Sequence, residues 1–263
     1  TGFGIKVDKQ VMDLAPNLKY VSPLATGYGG VDVAYAKSKN IAVCNIPGYA
    51  ANAVAEFVFA VILSHIRELE RGLNQTKSGN YSESGFNPTE IKGKTFGIIG
   101  LGNNGMKVAE LAKCFGANVK YWSRNRKRDA EANGIEYEEV DKLIANSDIL
   151  SFHLLLNPET EKFLNADRIS KLKKGALVVN TSPMELVDLK ALEERLTKSD
   201  MTFIEDHSDE MTKEDLERLS KYKNFVMYPP IGYCTKEASV AKQDIFVSNI
   251  ENFLNGKPSN KVY

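Results

Sequence analysis

Short apolar runs alternate with helical apolar spacing along this chain. LKYVSP (18–23) reads as a strand ended by proline, TGYGG (26–30) as a turn, VDVAYAKSK (31–39) as a helix and IAVCNIP (41–47) as a second strand. Residues 50–73 carry apolar side chains at three- and four-residue spacing, the pattern of one long helix. GNYSESGFNPTEIKG (79–93) is polar and is the best linker candidate. The rhythm then becomes regular. Strands are expected at TFGIIG, ANVKYWS, DILSFHLL, ALVVNTS, MTFIED and NFVMYP. Helices are expected at NNGMKVAELAKCFG, RDAEANG, EEVDKLIANS, NADRISKLKKG, DLKALEERLTK, EDLERLSKY and the final KEASVAKQDIFVSNIENFLNG. Alternation of this kind predicts an α/β protein with a mostly parallel, doubly wound sheet of Rossmann type.

Composition narrows the classes. Thirty-four basic and 34 acidic side chains give zero net charge, which argues against a nucleic-acid partner. Cys44, Cys114 and Cys234 are too few and too scattered for a disulfide framework or a metal site, so no metal is expected and the thiols read as reduced, in a cytoplasmic protein. No apolar run reaches the roughly 18 residues of a membrane span, and no signal peptide is expected from the first residues given. The first residue is Thr1 rather than Met, so a processed or incomplete N-terminus is expected.

IIGLGNNGMKVAEL holds Gly100, Gly102 and Gly105 in the G-x-G-x-x-G spacing. Placed between a buried strand and a helix, this spacing is a dinucleotide fingerprint. The glycines allow the tight turn, the close approach of a pyrophosphate and close strand–helix packing. The helix N-terminus offers free N–H groups to the phosphates. The second strand ends in KYWSRNRKRD, where Ser123 stands at the position that NAD-selective folds fill with a carboxylate, followed by Arg124 and Arg126. A serine does not repel a 2′-phosphate and an arginine can grip one, so NADP is expected over NAD.

Several long stretches resemble the D-isomer-specific 2-hydroxyacid dehydrogenases, a family of glycerate, phosphoglycerate and hydroxypyruvate/glyoxylate enzymes. They are APNLKYVSPLATGYGGVDVAYAKSKNIAVCNIPG, AVAEFVFAVIL, GKTFGIIGLGNNG, SDILSFHLLLNPETEKFLNADRISKLKKGALVVNT and LVDLKAL. The resemblance implies a partial, N-terminally truncated substrate domain at 1–48, a dinucleotide-binding domain at 49–228, and a return to the substrate domain at 229–263. It implies a homodimer through the helix at 50–73, and a small-molecule substrate. Besides the glycines, it implies that Asn103, Asn104, His153, Leu154, Thr181, Ser182, Pro183, Pro230 and Gly232 line the cofactor, with Tyr28 and Gly29 on the substrate side.

The family's chemistry uses an arginine, a histidine and a glutamate. In NTSPMELVD Pro183 stands where the arginine belongs, and in PPIG Pro230 stands for the histidine. For the glutamate, an ungapped alignment of IEDHSDEMTK selects Thr212, with His207 at the neighbouring aspartate position. A two-residue shift selects Glu210 and Glu205 instead. Proline neither titrates nor donates, so the usual proton transfer, typically worth roughly 10²–10⁴-fold in rate, has no obvious agent. His207 is the stand-in acid–base candidate, with Glu210 beside it, and Tyr228 and Tyr233 flank the lost histidine. His65 reads as a core or interface residue. Three outcomes are expected: a reductase of small carbonyl compounds with a remodelled site, a catalytically inactive cofactor-binding or interaction protein, or an incomplete dehydrogenase.

Overall fold

A computed structural model describes residues 5–263. In chain order its elements are α1 (Lys9–Asp13), β1 (Tyr20–Val21), α2 (Val33–Ser38), β2 (Ala42–Val43), α3 (Ala51–Ile66) and α4 (Leu69–Lys77). Next come β3 (Thr95–Ile99), α5 (Asn103–Cys114), β4 (Asn118–Trp122), α6 (Arg128–Ala132), β5 (Glu136–Tyr137), α7 (Val140–Asn146) and β6 (Ile149–Phe152). Then follow α8 (Ala166–Lys171), β7 (Leu177–Asn180), α9 (Leu189–Leu196), β8 (Thr202–Glu205), α10 (Lys213–Leu219), β9 (Phe225–Met227) and α11 (Lys236–Leu254). They fall into two units: the described residues up to Ala51 together with Cys234–Tyr263, and Asn52–Tyr233.

In the larger unit seven parallel strands form one sheet in the order β5-β4-β3-β6-β7-β8-β9. From β3 the chain winds outward to β4 and β5, then returns to the other side of β3 to lay down β6. That reversal is the switch point at which open α/β sheets bind ligands. β6 and β7 are buried at every position and β3 at four of five, as expected of parallel strands covered on both faces. The register pairs Ile99 with Phe152, Phe152 with Asn180, Asn180 with Glu205 and Glu205 with Met227. Four strand ends therefore lie in one row with β3, and the residues that follow them share one edge. One apolar cluster, including Leu143, Ile144, Leu150, Val178, Leu192 and Phe203, anchors helices to this sheet.

The smaller unit has a parallel β1–β2 pair and a core of Val7, Met12, Val21, Val31, Ala36, Ile41 and Val43. Buried Asn249 of α11 donates to Asn45 O (2.8 Å) and accepts from Ser259 Oγ (2.9 Å) and Asn260 Nδ2 (2.8 Å).

Three expectations are corrected. The helix at 50–73 is two helices, because Glu68 turns into the left-handed region (φ 52°) and its carboxylate then accepts from Asn87 N and from Arg71, both at 2.6 Å. The polar stretch at 79–93 does not link the two units but folds back within one: Thr89 N bonds Ile66 O (2.9 Å) and Arg71 bonds Gly85 O (2.8 Å). Of the core and interface alternatives for His65, the core one is corrected: the side chain continues the face of Val54, Val58 and Ile62 but stands exposed in the last turn of α3.

Candidate functional site

The glycine turn lies where β3 meets α5. Gly100 has φ +97°, and a Cβ there would sit 2.6 Å from His153 O. A Cβ on Gly105 would drive into the carbonyl of Gly100, 3.1 Å from its carbon and closer still to its oxygen. Gly102 is different, because a Cβ there would meet nothing within 4 Å. It caps α5 without a side chain, so the first N–H groups of this 12-residue helix have no side-chain partner at the cap. The turn is therefore tight where strand and helix touch and open where a phosphate would approach. Asn103 and Asn104 form the first turn, the former exposed, and Leu154 packs against Gly100. These features fit a dinucleotide, with Gly100–Gly105 at its pyrophosphate.

At the end of β4, Ser123 Oγ donates to Asn125 O (2.6 Å). The two arginines separate here. Arg126 forms a two-pronged pair with Glu131 (Nε–Oε1 3.0 Å, Nη2–Oε2 2.5 Å) and lies 4.7 Å over the Tyr137 ring. Arg124 is 77% exposed and pairs with Glu159, itself exposed, at 3.3 Å. Arg124 can thus turn to a 2′-phosphate at little cost, whereas Arg126 would first give up its carboxylate.

Between β6 and β7, His153 bridges two hydroxyls. Nε2 lies 2.9 Å from Ser151 Oγ and Nδ1 3.2 Å from Thr181 Oγ1. Thr181 Oγ1 also donates to Phe152 O (3.2 Å), so its oxygen is left to accept from Nδ1–H while Ser151 donates to Nε2. Burial pushes the imidazole pKa down to about 3, keeping it neutral at physiological pH.

The ends of β7 and β8 carry the rest. Buried Asn180 donates to Ser182 O (2.8 Å) and to Glu205 Oε2 (2.8 Å), and accepts from Ser182 N (3.2 Å). Glu205 Oε1 accepts from His207 N (2.7 Å). Asp206 accepts from Ile231 N (3.1 Å) and Gly232 N (3.0 Å), which fastens the loop after β9 to the β8 edge. Within that loop Ile231 N bonds Pro229 O (2.7 Å), a three-residue turn centred on Pro230, whose fixed φ suits it. His207 lies between two carboxylates, with Nδ1 3.7 Å from Glu210 and Nε2 4.0 Å from Asp206. Burial, first, and the other carboxylates raise the pKa of Glu205, with the His207 and Asn180 bonds pulling it back. Asp206 and Glu210 are also raised, burial again leading, while His207 pulls both down.

The structure thus brings His207 and Glu210 together. Thr212 is instead the N-cap of α10, its Oγ1 accepting from Asp215 N (3.1 Å). Pro183 follows Ser182, half-buried. Tyr28 and Gly29 lie in the smaller unit, where Tyr28 O accepts from Val31 N (3.0 Å). Sequence reasoning did not single out Asn180. Its signal was an amide closing an apolar strand in register with a carboxylate closing the next. Tyr228 meets Phe57 edge-on at 5.7 Å. Among the described residues, no group of three or more His, Cys, Asp or Glu side chains is arranged to hold a metal, and no helix is long and apolar enough to cross a membrane.

A glycine-lined turn at the switch point of a parallel sheet defines a dinucleotide-binding protein of the Rossmann class. Residues 59–232 match the NAD binding domain of the D-isomer specific 2-hydroxyacid dehydrogenases. The glyoxylate reductase of Thermococcus litoralis is 34% identical, over 98% of this chain and 80% of its own length. An acyclic imino acid reductase, solved with NADPH and D-Arg, superposes with TM-score 0.90 at 29% identity, covering 98% of this chain and 83% of that one. D-lactate dehydrogenase from Aquifex aeolicus, complexed with NAD and lactic acid, gives TM-score 0.89 at 26% identity, over 97% and 82%. The chain belongs to the D-isomer specific 2-hydroxyacid dehydrogenase family and carries that family's NAD(P)-binding domain.

Proposed function

We propose that this protein is an NAD(P)H-dependent oxidoreductase that reduces a small carbonyl compound at a remodelled site, and that the family's usual 2-hydroxy acids are poor substrates. One observation carries this reading. The edge that follows β7 and β8 holds His207 between Asp206 and Glu210, while residues 181–188, 201–212 and 228–235 contain no Lys or Arg. A substrate carboxylate finds no cation there to pair with. A reduced nicotinamide, when bound, supplies the hydride. Gly100, Gly102 and Gly105 hold the pyrophosphate, with Asn103 and Asn104 at the helix start. Leu154, Thr181, Ser182, Pro183, Pro230 and Gly232 border the nicotinamide end. His207 holds the proton for the product oxygen, and Glu210 orients its ring.

NADP is preferred over NAD, through Arg124 and the absence of a carboxylate at Ser123. The NADPH in the similar imino acid reductase supports that preference. The reading extends to a homodimer, through the apolar side chains of α3, and to a cytoplasmic protein with reduced thiols. Initial rates of NADPH oxidation over a panel of aldehydes and ketones test it, with His207→Ala applied to each hit. Unchanged rates in His207→Ala remove the acid–base role, and no turnover on any member removes the activity.

A second reading is favoured by Pro183 and Pro230, which offer no titratable group at two positions of the family's machinery. On that reading the protein binds the cofactor and serves as a catalytically inactive interaction module. Tight NADPH binding with no turnover on the panel supports it.

A further inference from the structure

Proposed hydride transfer at this edge leaves two chemical problems. A carbonyl must be polarised by a cation or a strong donor, and the developing alkoxide must receive a proton. The edge is poor in both. Its side chains include Glu185, Glu205, Asp206, Asp209 and Glu210, with His207 as the one group able to carry positive charge in residues 181–188, 201–212 and 228–235. The two nearest carboxylates already flank that imidazole, at 3.7 and 4.0 Å. Pro183 and Pro230 add no donor. Buried Glu210 Oε2 and His207 Nδ1 have no hydrogen-bond partner, so polar atoms at this edge remain to be satisfied.

A protonated imine removes both problems. Its carbon is electrophilic without help, because the nitrogen arrives already protonated. Its charge is positive, which suits carboxylates and opposes the approach of a carboxylate substrate. We infer that the substrate of this site is an iminium cation, a carbonyl compound condensed with an amine, rather than a free 2-oxo acid. This inference rests on the hydride transfer proposed above. The step balances without an acid. The iminium carbon accepts a hydride from a reduced nicotinamide, the C=N π pair becomes the nitrogen lone pair, and a neutral amine and oxidised nicotinamide result. Glu210 then holds the cation by charge, with buried Asp206, bonded to Ile231 N and Gly232 N, adding only to the negative field, and the amine takes a proton from water after the step. His207 need not transfer a proton in this reaction.

Two measurements test the inference apart from the reading beneath it. The first is calorimetric binding of pyrrolidine, protonated at neutral pH, and of the carboxylate oxamate to the protein saturated with NADP. Pyrrolidine is expected to bind and oxamate not to bind, with at least a tenfold difference in Kd. In Glu210→Gln pyrrolidine should bind at least fivefold more weakly. The second is NADPH oxidation with 1-pyrroline and with cyclopentanone, a cyclic imine and a ketone of the same ring size. The imine should turn over at least tenfold faster in kcat/KM. Equal or faster reduction of the ketone, or preferential oxamate binding, overturns the inference and leaves carbonyl reduction standing. Unchanged pyrrolidine binding in Glu210→Gln overturns the carboxylates' role as its anchor. If NADPH binds but neither compound is reduced, proposed hydride transfer falls and the inference with it.

Discussion

Two glycines of the same turn should fail in opposite ways when replaced. A methyl on Gly105 would collide with the backbone carbonyl of Gly100 and lie 3.2 Å from Ile98 Cγ2. Neither the β3 end nor the first turn of α5 can yield without disturbing the other. Overpacking of this kind costs about 1–3 kcal/mol, which at about 2–4 °C per kcal/mol for a domain of this size lowers Tm by roughly 2–12 °C. Gly102 has extended backbone (φ −85°, ψ −159°), and a Cβ there meets nothing. Gly102→Val should therefore leave stability within about 0.5 kcal/mol. The isopropyl group would instead occupy the open side of the turn, above the free N–H groups of α5. Losing one charge-assisted bond to a phosphate removes about 1.5–3 kcal/mol, a rise in the NADPH Kd of roughly 10- to 150-fold. Thermal unfolding without nucleotide and calorimetric titration with NADPH measure the two effects on the same preparations. If Gly102→Val melts as early as Gly105→Ala, or keeps its Kd within twofold, the open side of this turn does not hold the pyrophosphate.

Other outcomes follow from the site's charges. Arg124→Ala should cut the NADPH-over-NADH preference several-fold and Arg126→Ala should change it little, since Arg126 is occupied by Glu131; Kd values for both nucleotides decide it. The pKa of Glu210 is raised in the folded state, so its ionisation destabilises the fold as pH rises above about 4.3, its ordinary value. Glu210→Gln should accordingly gain Tm relative to the parent at pH 8 more than at pH 4.5, and equal shifts at both pH values would refute this. The pKa of His153 is lowered to about 3, so the unfolded chain takes up this proton first as pH falls below about 6.5. The cost to folding at pH 5 is on the order of 2 kcal/mol. The His153 ring resonances should stay those of the neutral form from pH 8 to pH 5, and titration near 6.5 by NMR would contradict the burial.

Much of the sheet was legible because parallel strands buried on both faces leave uninterrupted apolar runs, and because Gly116 (φ +77°) closes α5 as a left-handed cap. The glycine turn was legible because its three positions have distinct steric needs within six residues. The break at Glu68 was not, since the apolar spacing continues through Leu69 and Leu73, both of which stand exposed. Its cause is a contact with Asn87, 19 residues away. The edge of the site was hidden for the same reason. Asp206 reaches Gly232 across 26 residues, and Asn180 reaches Glu205 across 25. The two open alignments of residues 205–212 differed in which side chains take the family's glutamate and aspartate positions, Thr212 and His207 or Glu210 and Glu205. Glu210 meets His207, while Thr212 is used as a helix cap. The two arginines after Ser123 looked equivalent until Glu131 was seen to occupy one of them.

On the proposed function, this cofactor domain serves a site rebuilt away from carboxylate substrates. The most direct test is kcat/KM with saturating NADPH for glyoxylate and for glycolaldehyde, which share an aldehyde but differ in the carboxylate. Glycolaldehyde should be reduced faster than glyoxylate, and glyoxylate slowly or not at all. Rapid reduction of glyoxylate, with glycolaldehyde far behind, would contradict it and would mean that a carboxylate-binding cation reaches the substrate from elsewhere in the protein.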